Sequence, residues 1–209
     1  ISNSGKSFMD LPAGSVIGTS SIRRRSQVLS LRKDLSIKLL RGNVDTRIQK
    51  LRNNEYDAVI LSLAGLARLN LDHLVTEVLE HNLFLPAACQ GAVGVQALKS
   101  SEVKKILAPI NDLQTQTECM AERRVLKNIN ANCNSPVSIY ANINKNNITI
   151  QFEIFDHHGN KIFKKSKEDT KENYMKLCDE LSEEIINTVG QTKINELDNL
   201  KSDFDYTPS

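Results

Sequence analysis

The sequence predicts an α/β protein: a parallel-sheet β-α-β domain with its ligand site at the carboxyl ends of the strands, then a smaller α+β domain with a three-stranded antiparallel sheet and helices. Three observations predict it. Short apolar runs recur at roughly twenty-residue intervals from Val16 to Arg68, each followed by a turn and a helical stretch, the pattern of successive β-α units. Arginines cluster where those helices begin. Beyond residue 136 the periodicity changes to alternating strands separated by Asn- and Gly-bearing turns.

The first unit is Val16-Ile17-Gly18-Thr19, with Ser20-Ser21-Ile22-Arg23-Arg24-Arg25 opening a helix toward Lys33. Ser20 or Ser21 is positioned to cap it. The second is Ile37-Lys38-Leu39-Leu40, the turn Arg41-Gly42-Asn43, and a helix from Val44 to Asn53 with Val44, Ile48 and Leu51 at helical spacing. The third is Tyr56 to Leu61, with Ser62 to Gly65 leading into Leu66-Ala67-Arg68. Strands joined by helical crossovers are parallel, and open α/β sheets bind ligands at the strand carboxyl ends. One edge therefore receives Arg23, Arg24, Arg41, Arg47 and Arg68, beside helix N-termini with free N–H groups. Arginine grips carboxylate or phosphate through paired, charge-assisted bonds. Each arginine alone is equally explained as a solvated helix residue, but all of them at one edge point to a site for a polyanion.

Composition narrows the class. The 209 residues suffice for two modest domains, and 27 Lys+Arg against 25 Asp+Glu make the positive charge of that edge local. Aromatics are 5% with no Trp, so the stacking residues of a nucleic-acid surface are lacking. No run of eighteen apolar residues marks a membrane span. Ile1 to Lys6 is polar, unlike a signal peptide, and without an initiator Met the sequence is expected to be the later part of a longer protein. The four cysteines, Cys89, Cys119, Cys133 and Cys178, form no C-x-x-C pair, and no His shares a helical face with further ligands, so no metal is assigned. A reducing compartment follows, cytoplasmic by default, with an organelle as the alternative.

Further along, a helix is expected from Leu69 to Leu85, then a crossing segment and a strand from Ala92. Gly91 and Gly94 would let the backbone pass close to a strand or a ligand, and Gln90 beside them can donate to a bound carboxylate. Short and long helices are expected over Ser101–Ile110 and Leu113–Ile129. Strands follow over Val137–Ile143, Ile148–Phe155 and Lys161–Lys165, and a helix over Thr170–Val189 ends at Gly190. Cys178 belongs to that helix's apolar stripe; Cys89 and Cys119 read as buried and inert. Cys133 stands on the Asn-rich loop Asn130–Pro136, where a thiol is accessible.

Gly18-Thr19-Ser20-Ser21-Ile22-Arg23-Arg24, Leu40-Arg41-Gly42-Asn43-Val44-Asp45-Thr46-Arg47, Tyr56–Leu61, Ala64-Gly65-Leu66-Ala67-Arg68-Leu69, Leu85-Pro86 to Gln90-Gly91-Ala92-Val93-Gly94, and Ala121-Glu122-Arg123 followed by Cys133 and Pro136 together resemble the porphobilinogen deaminases, or hydroxymethylbilane synthases. The resemblance is collinear over nearly the whole chain. It implies a transferase of tetrapyrrole and haem biosynthesis that joins four porphobilinogen units head to tail, with loss of ammonia, on a dipyrromethane cofactor held by thioether to Cys133. Hydrolysis then releases the linear tetrapyrrole. It implies that Arg23, Arg24, Arg41, Arg47 and Arg68 hold acetate and propionate groups and that Thr19, Ser20, Ser21, Asn43, Gly65, Gln90 and Gly91 line the same cleft. It divides the chain into a second domain (1–86), a crossing segment with a remnant of the first domain (87–111), a cofactor-carrying C-terminal domain (112–190) and a flexible tail (191–209). The family's catalytic aspartate lies upstream of residue 1. The missing N-terminal part is thus an expected partner, the chain alone is expected to be inactive, and the intact enzyme monomeric. Ala131-Asn132 depart from the two glycines that precede the cysteine in the family. The competing class is a non-catalytic α/β module that binds polycarboxylates, which explains the arginines and gives Cys133 no task.

Overall fold

In the computed structural model, which describes residues 1–98, 102–132, 135–197 and 204–208, the three apolar runs form β1 (Val16–Thr19), β2 (Ser36–Leu39) and β3 (Ala58–Val59). They pair in parallel in the order β2-β1-β3. Helices α1 (Ile22–Leu31), α2 (Val44–Arg52) and α3 (Leu63–Arg68) follow them in turn. Ser21 caps α1 by accepting from Arg24 N, and Asn43 caps α2 by accepting from Thr46 N. Val28 and Leu29 of α1 are fully buried against Ile17, Ile37 and Phe84. Ile48 and Leu51 are the buried residues of α2, and Leu51 packs with Leu40, Tyr56 and Val59. With β1 in the centre, the connections leave it in opposite directions, which opens a crevice at the carboxyl ends of β1 and β3.

The segment after α3 departs from the expected helix over Leu69–Leu85. Only a 3-10 turn, Asp72–Leu74, forms. The apolar spacing of Leu74, Val75, Val78 and Leu79 suits a helix, but the N-terminal segment claims the residues between them: Ser2 N donates to Thr76 Oγ1 at 3.0 Å and Phe8 N to Glu77 Oε2 at 2.6 Å. Residues 92–98, expected as a strand, have no regular structure, and Val93, Val95 and Leu98 stand exposed with no strand beside them among the described residues. Helix α4 (Val103–Leu107) and a 3-10 turn (Ala108–Ile110) follow.

The rest of the chain is α5 (Leu113–Asn128), then β4 (Val137–Asn144), β5 (Asn147–Phe155) and β6 (Lys161–Thr170) in antiparallel order, and α6 (Tyr174–Val189). The inward residues of the sheet, among them Ile139, Ile150, Phe152 and Ile154, bury against Val125 of α5 and Leu181 and Ile185 of α6. Residues 191–197, expected to begin a flexible tail, instead form α7 (Gln191–Leu197), whose Ile194 and Leu197 are wholly buried in the same core. An apolar pair three residues apart on one face is enough to dock so short a helix. Farther on, Tyr206 exchanges backbone bonds with Ile37 at 2.7 and 2.8 Å, and Asp205 Oδ1 accepts from Leu39 N at 2.7 Å. The end of the chain thus covers the open edge of β2. Among the described residues no helix is long and apolar enough to cross a membrane.

The two sheets are tied together through α1. Arg25 Nη1 donates to His157 O at 2.6 Å, its Nε to Phe204 O at 2.7 Å, and Lys33 Nζ to Asn160 Oδ1 at 2.8 Å. Gly159, with φ +75°, tips the β5–β6 turn onto the helix; a β-carbon there would collide with Leu29 Cβ and lie 2.9 Å from Leu29 C and Ser30 N. Gly159→Ala therefore combines left-handed strain with a backbone clash and is expected to cost about 2–4 kcal/mol in urea unfolding. Gly190→Ala, at φ +85° but in open space, is expected to cost only about 1–2 kcal/mol. Equal losses would mean that the turn does not rest on α1.

Candidate functional site

The cap at Ser21 starts α1 so that its first turn carries Arg23 and Arg24 to the carboxyl edge of the sheet. Arg23 is 8% exposed. Its Nη1 donates to Gln27 Oε1 at 2.8 Å and Leu85 O at 2.7 Å, and its Nη2 to Gln90 Oε1 at 3.0 Å. Arg24 Nη1 donates to Ile60 O at 3.1 Å, just beyond β3. Every one of these acceptors is neutral, and among the described residues no carboxylate pairs with either guanidinium. Burial, aided by the charge of Arg24, lowers the Arg23 pKa to about 9. Burial and then Arg47 lower that of Arg24. Both stay charged at neutral pH. Two adjacent cations withdrawn from water with only dipoles around them are a strong attractor for an anion.

They face a cavity of about 270 Å³ whose lining includes Gln90 and an apolar floor of Ile17, Leu66 and Phe84. Glu77 also lines it, but its Oε2 is engaged by Phe8 N. The arrangement suits a ligand that is part apolar and bears more than one carboxylate. It has no metal-binding cluster: three His, Cys, Asp or Glu do not converge anywhere among the described residues.

The remaining residues singled out from sequence are distributed differently. Arg41 and Arg68 are exposed, and Arg47 is half-buried with Nε on Gly42 O at 2.8 Å; none of the three lines the cavity. Thr19 is buried and its Oγ1 accepts from Ser21 N at 3.2 Å, while Ser20 is exposed. Ser21 and Asn43 are occupied as helix caps. Gly65 lies within α3, and Gly91 is exposed at φ +96°. Cys133 lies outside the described residues.

Three features of the site were not evident from sequence. Gln27 and the Leu85 carbonyl complete the Arg23 cradle, and Gln27 Nε2 also donates to Leu85 O at 2.9 Å. The third is Glu122 of α5, 5% exposed, whose Oε2 accepts from Cys89 N at 2.5 Å and Oε1 from Ala141 N at 2.8 Å. Burial raises its pKa, and those two backbone N–H groups oppose the rise. With Ile139 N on Pro86 O at 3.1 Å, it staples the segment bearing Gln90 to the C-terminal sheet. A carboxylate set between Ala121 and Val125 on the buried stripe of α5 is the one sequence signal for it.

Residues 1–105 match the family model described as the porphobilinogen deaminase dipyromethane cofactor binding domain, and residues 116–187 the porphobilinogen deaminase C-terminal domain. Similar curated proteins include the porphobilinogen deaminases of Clostridium kluyveri (40% identical over 188 residues, 89% of this chain and 63% of that protein), Maridesulfovibrio salexigens (39% over 181 residues, 86% and 59%) and Campylobacter jejuni subsp. doylei (38% over 188 residues, 89% and 61%). The chain spans about three-fifths of the length of these relatives, 63%, 59% and 61%. With one model covering residues 1–105 of 209 and a second the C-terminal domain, the chain belongs to the porphobilinogen deaminase family.

Proposed function

We propose that this chain is the carboxylate-binding and cofactor-bearing part of a hydroxymethylbilane synthase. The observation that carries the reading is the pair of guanidinium groups, Arg23 buried and Arg24 half-buried, left with neutral acceptors only. Each pyrrole of porphobilinogen bears an acetate and a propionate, and these supply the missing negative charge. The apolar floor takes the ring. A bound carboxylate supplies the opposite charge that offsets the desolvation lowering both arginine pKa values, so a fixed pair of cations holds each ring at a set depth without reorganising.

The same donor set fits a dipyrromethane, which carries the same side-chain acids. When bound, that cofactor supplies the primer on which four porphobilinogen units are joined head to tail with loss of ammonia, before water releases the linear tetrapyrrole. Arg23, Arg24 and Gln90 would hold its carboxylates, and Arg41, Arg47 and Arg68 would guide incoming substrate. Support for Cys133 as the thioether anchor comes from the family relationship. No acid side chain approaches Arg23 or Arg24 with a free carboxylate among the described residues, Glu77 being engaged by Phe8 N. We therefore infer that the aspartate for deamination comes from a further part of the enzyme, and that the 209-residue chain binds porphobilinogen without consuming it. The water-soluble multi-carboxylate substrate and product suit a cytoplasmic setting, and the whole enzyme is proposed to be a monomer.

Two experiments test this. Intact mass under denaturing conditions is expected to show an excess matching a dipyrromethane once the chain is co-expressed with the N-terminal part of a family member. The excess should vanish in Cys133→Ser; its persistence there would move the anchor elsewhere. Calorimetric titration with porphobilinogen is expected to weaken about 10–100-fold in Arg23→Gln or Arg24→Gln, the loss of one or two charge-assisted bonds. The melting temperature should change little in Arg23→Gln, since Leu85 O keeps Gln27 Nε2 and Gln90 Oε1 keeps Ala87 N. Undiminished affinity in both variants would end the carboxylate-clamp reading in favour of a site elsewhere.

A further inference from the structure

Cys89 and Cys119 lie 30 residues apart, one on the turn between Pro86 and Gly91 and the other in the middle of α5. The structure brings the Cys89 side chain against Cys119: Cys89 Sγ donates to Cys119 O at 3.7 Å. Both are partly exposed, whereas Cys178 is buried with its Sγ on Ala121 O at 3.5 Å. Cys89 also has φ +59°, a left-handed backbone that residues other than Gly, Asn and Asp seldom adopt. Its N–H is anchored on Glu122 Oε2, one helical turn from Cys119. The backbone is thus pinned so that the Cys89 sulfur points at α5. The sequence reads both thiols as buried and inert; the structure leaves both partly exposed.

We propose that Cys89 and Cys119 form a reversible disulfide that locks the turn bearing Gln90 onto the C-terminal domain, with a small-molecule disulfide of the glutathione class as oxidant. Cys119, in the middle of α5, has its thiol pushed up to about 12 chiefly by burial; the first attack falls to Cys89, on the turn. Its thiolate attacks one sulfur of the small disulfide and displaces one small thiolate, leaving a mixed disulfide on Cys89. Cys119, giving its proton to solvent, then attacks the Cys89 sulfur and displaces the second thiolate. Two protein thiols are oxidised and one small disulfide is reduced to two thiols. The link joins the residue next to Gln90, and hence the Arg23 cradle, covalently to α5. It stands independently of the reaction proposed above.

The test is to incubate the folded chain with excess oxidised glutathione, trap remaining thiols with an alkylating agent in acid, and map unreduced peptides by mass. The expected product joins the peptides of Cys89 and Cys119, is released by dithiothreitol, and leaves Cys178 unmodified until the chain is unfolded. In Cys89→Gly the joined peptides should disappear while the melting temperature holds or rises, because glycine takes the same φ without strain. Joined peptides that involve Cys133 or Cys178 instead, or glutathione remaining on Cys89 with no closure onto Cys119, would overturn the proposal.

Discussion

The buried guanidinium of Arg23 is the constraint around which the cavity and the crossing segment are arranged. It is buried, and its acceptors come from two separate stretches: its own helix through Gln27, and the crossing segment through Leu85 O and Gln90. A stripped cation costs several kcal/mol unless its donors are met, and here neutral oxygens meet them. Glu122 mirrors it in the other domain, a buried anion met by the backbone of Cys89 and Ala141. The crossing segment is therefore held between a buried cation at one end and a buried anion at the other. The two charges do not pair with each other, and each keeps a demand that dipoles only partly meet. For Glu122 the demand is closed off inside the protein. For Arg23 it faces a cavity, the end at which binding is proposed.

A site of this kind works only if its donors stay put. Helix α1, which carries Arg23 and Arg24, is gripped on its far side: Arg25 holds His157 O of the C-terminal domain and Phe204 O of the closing segment, and Gly159 lets the β5–β6 turn lie against Leu29. The closing residues of the chain then seal the edge of β2. The clamp helix is thus positioned by contacts 132 and 179 residues away in sequence. Movement of the C-terminal domain relative to the parallel sheet would have to displace Arg23 and Arg24 or break those bonds.

This explains what could be seen in the sequence and what could not. Local signals were legible: the repeated β-α units, the caps at Ser21 and Asn43, the antiparallel strands after Pro136 and the apolar stripe of α6 all depend on residues a few positions apart. The arginines of one edge were legible as a group. The burial that separates Arg23 from Arg41 and Arg68 was not, because it depends on Leu85 and Gln90 arriving from more than sixty residues away. The segment after Leu69 misled for the same reason. Its apolar spacing fits a helix, while its partners lie at Ser2 and Phe8. Ile194 and Leu197 were too sparse in a polar stretch to announce a docked helix.

The separation of the arginines by burial also divides their work. Exposed charges are screened beyond about 8 Å at physiological ionic strength and contribute little to equilibrium affinity, though they raise the rate at which an oppositely charged ligand arrives. Arg41 and Arg68 have that character. Arg23 and Arg24 interact in a medium where water competes poorly, so their charge discriminates between ligands by where the carboxylates sit. Arg47 stands between the two classes: half-buried, tied to Gly42 O, and close enough to lower the pKa of Arg24. An anion seated on Arg24 therefore also relieves repulsion from Arg47, which couples the buried pair to the exposed turn before α2. On the proposed reading, affinity resides in Arg23 and Arg24, and the exposed arginines around them serve mainly to deliver the ligand.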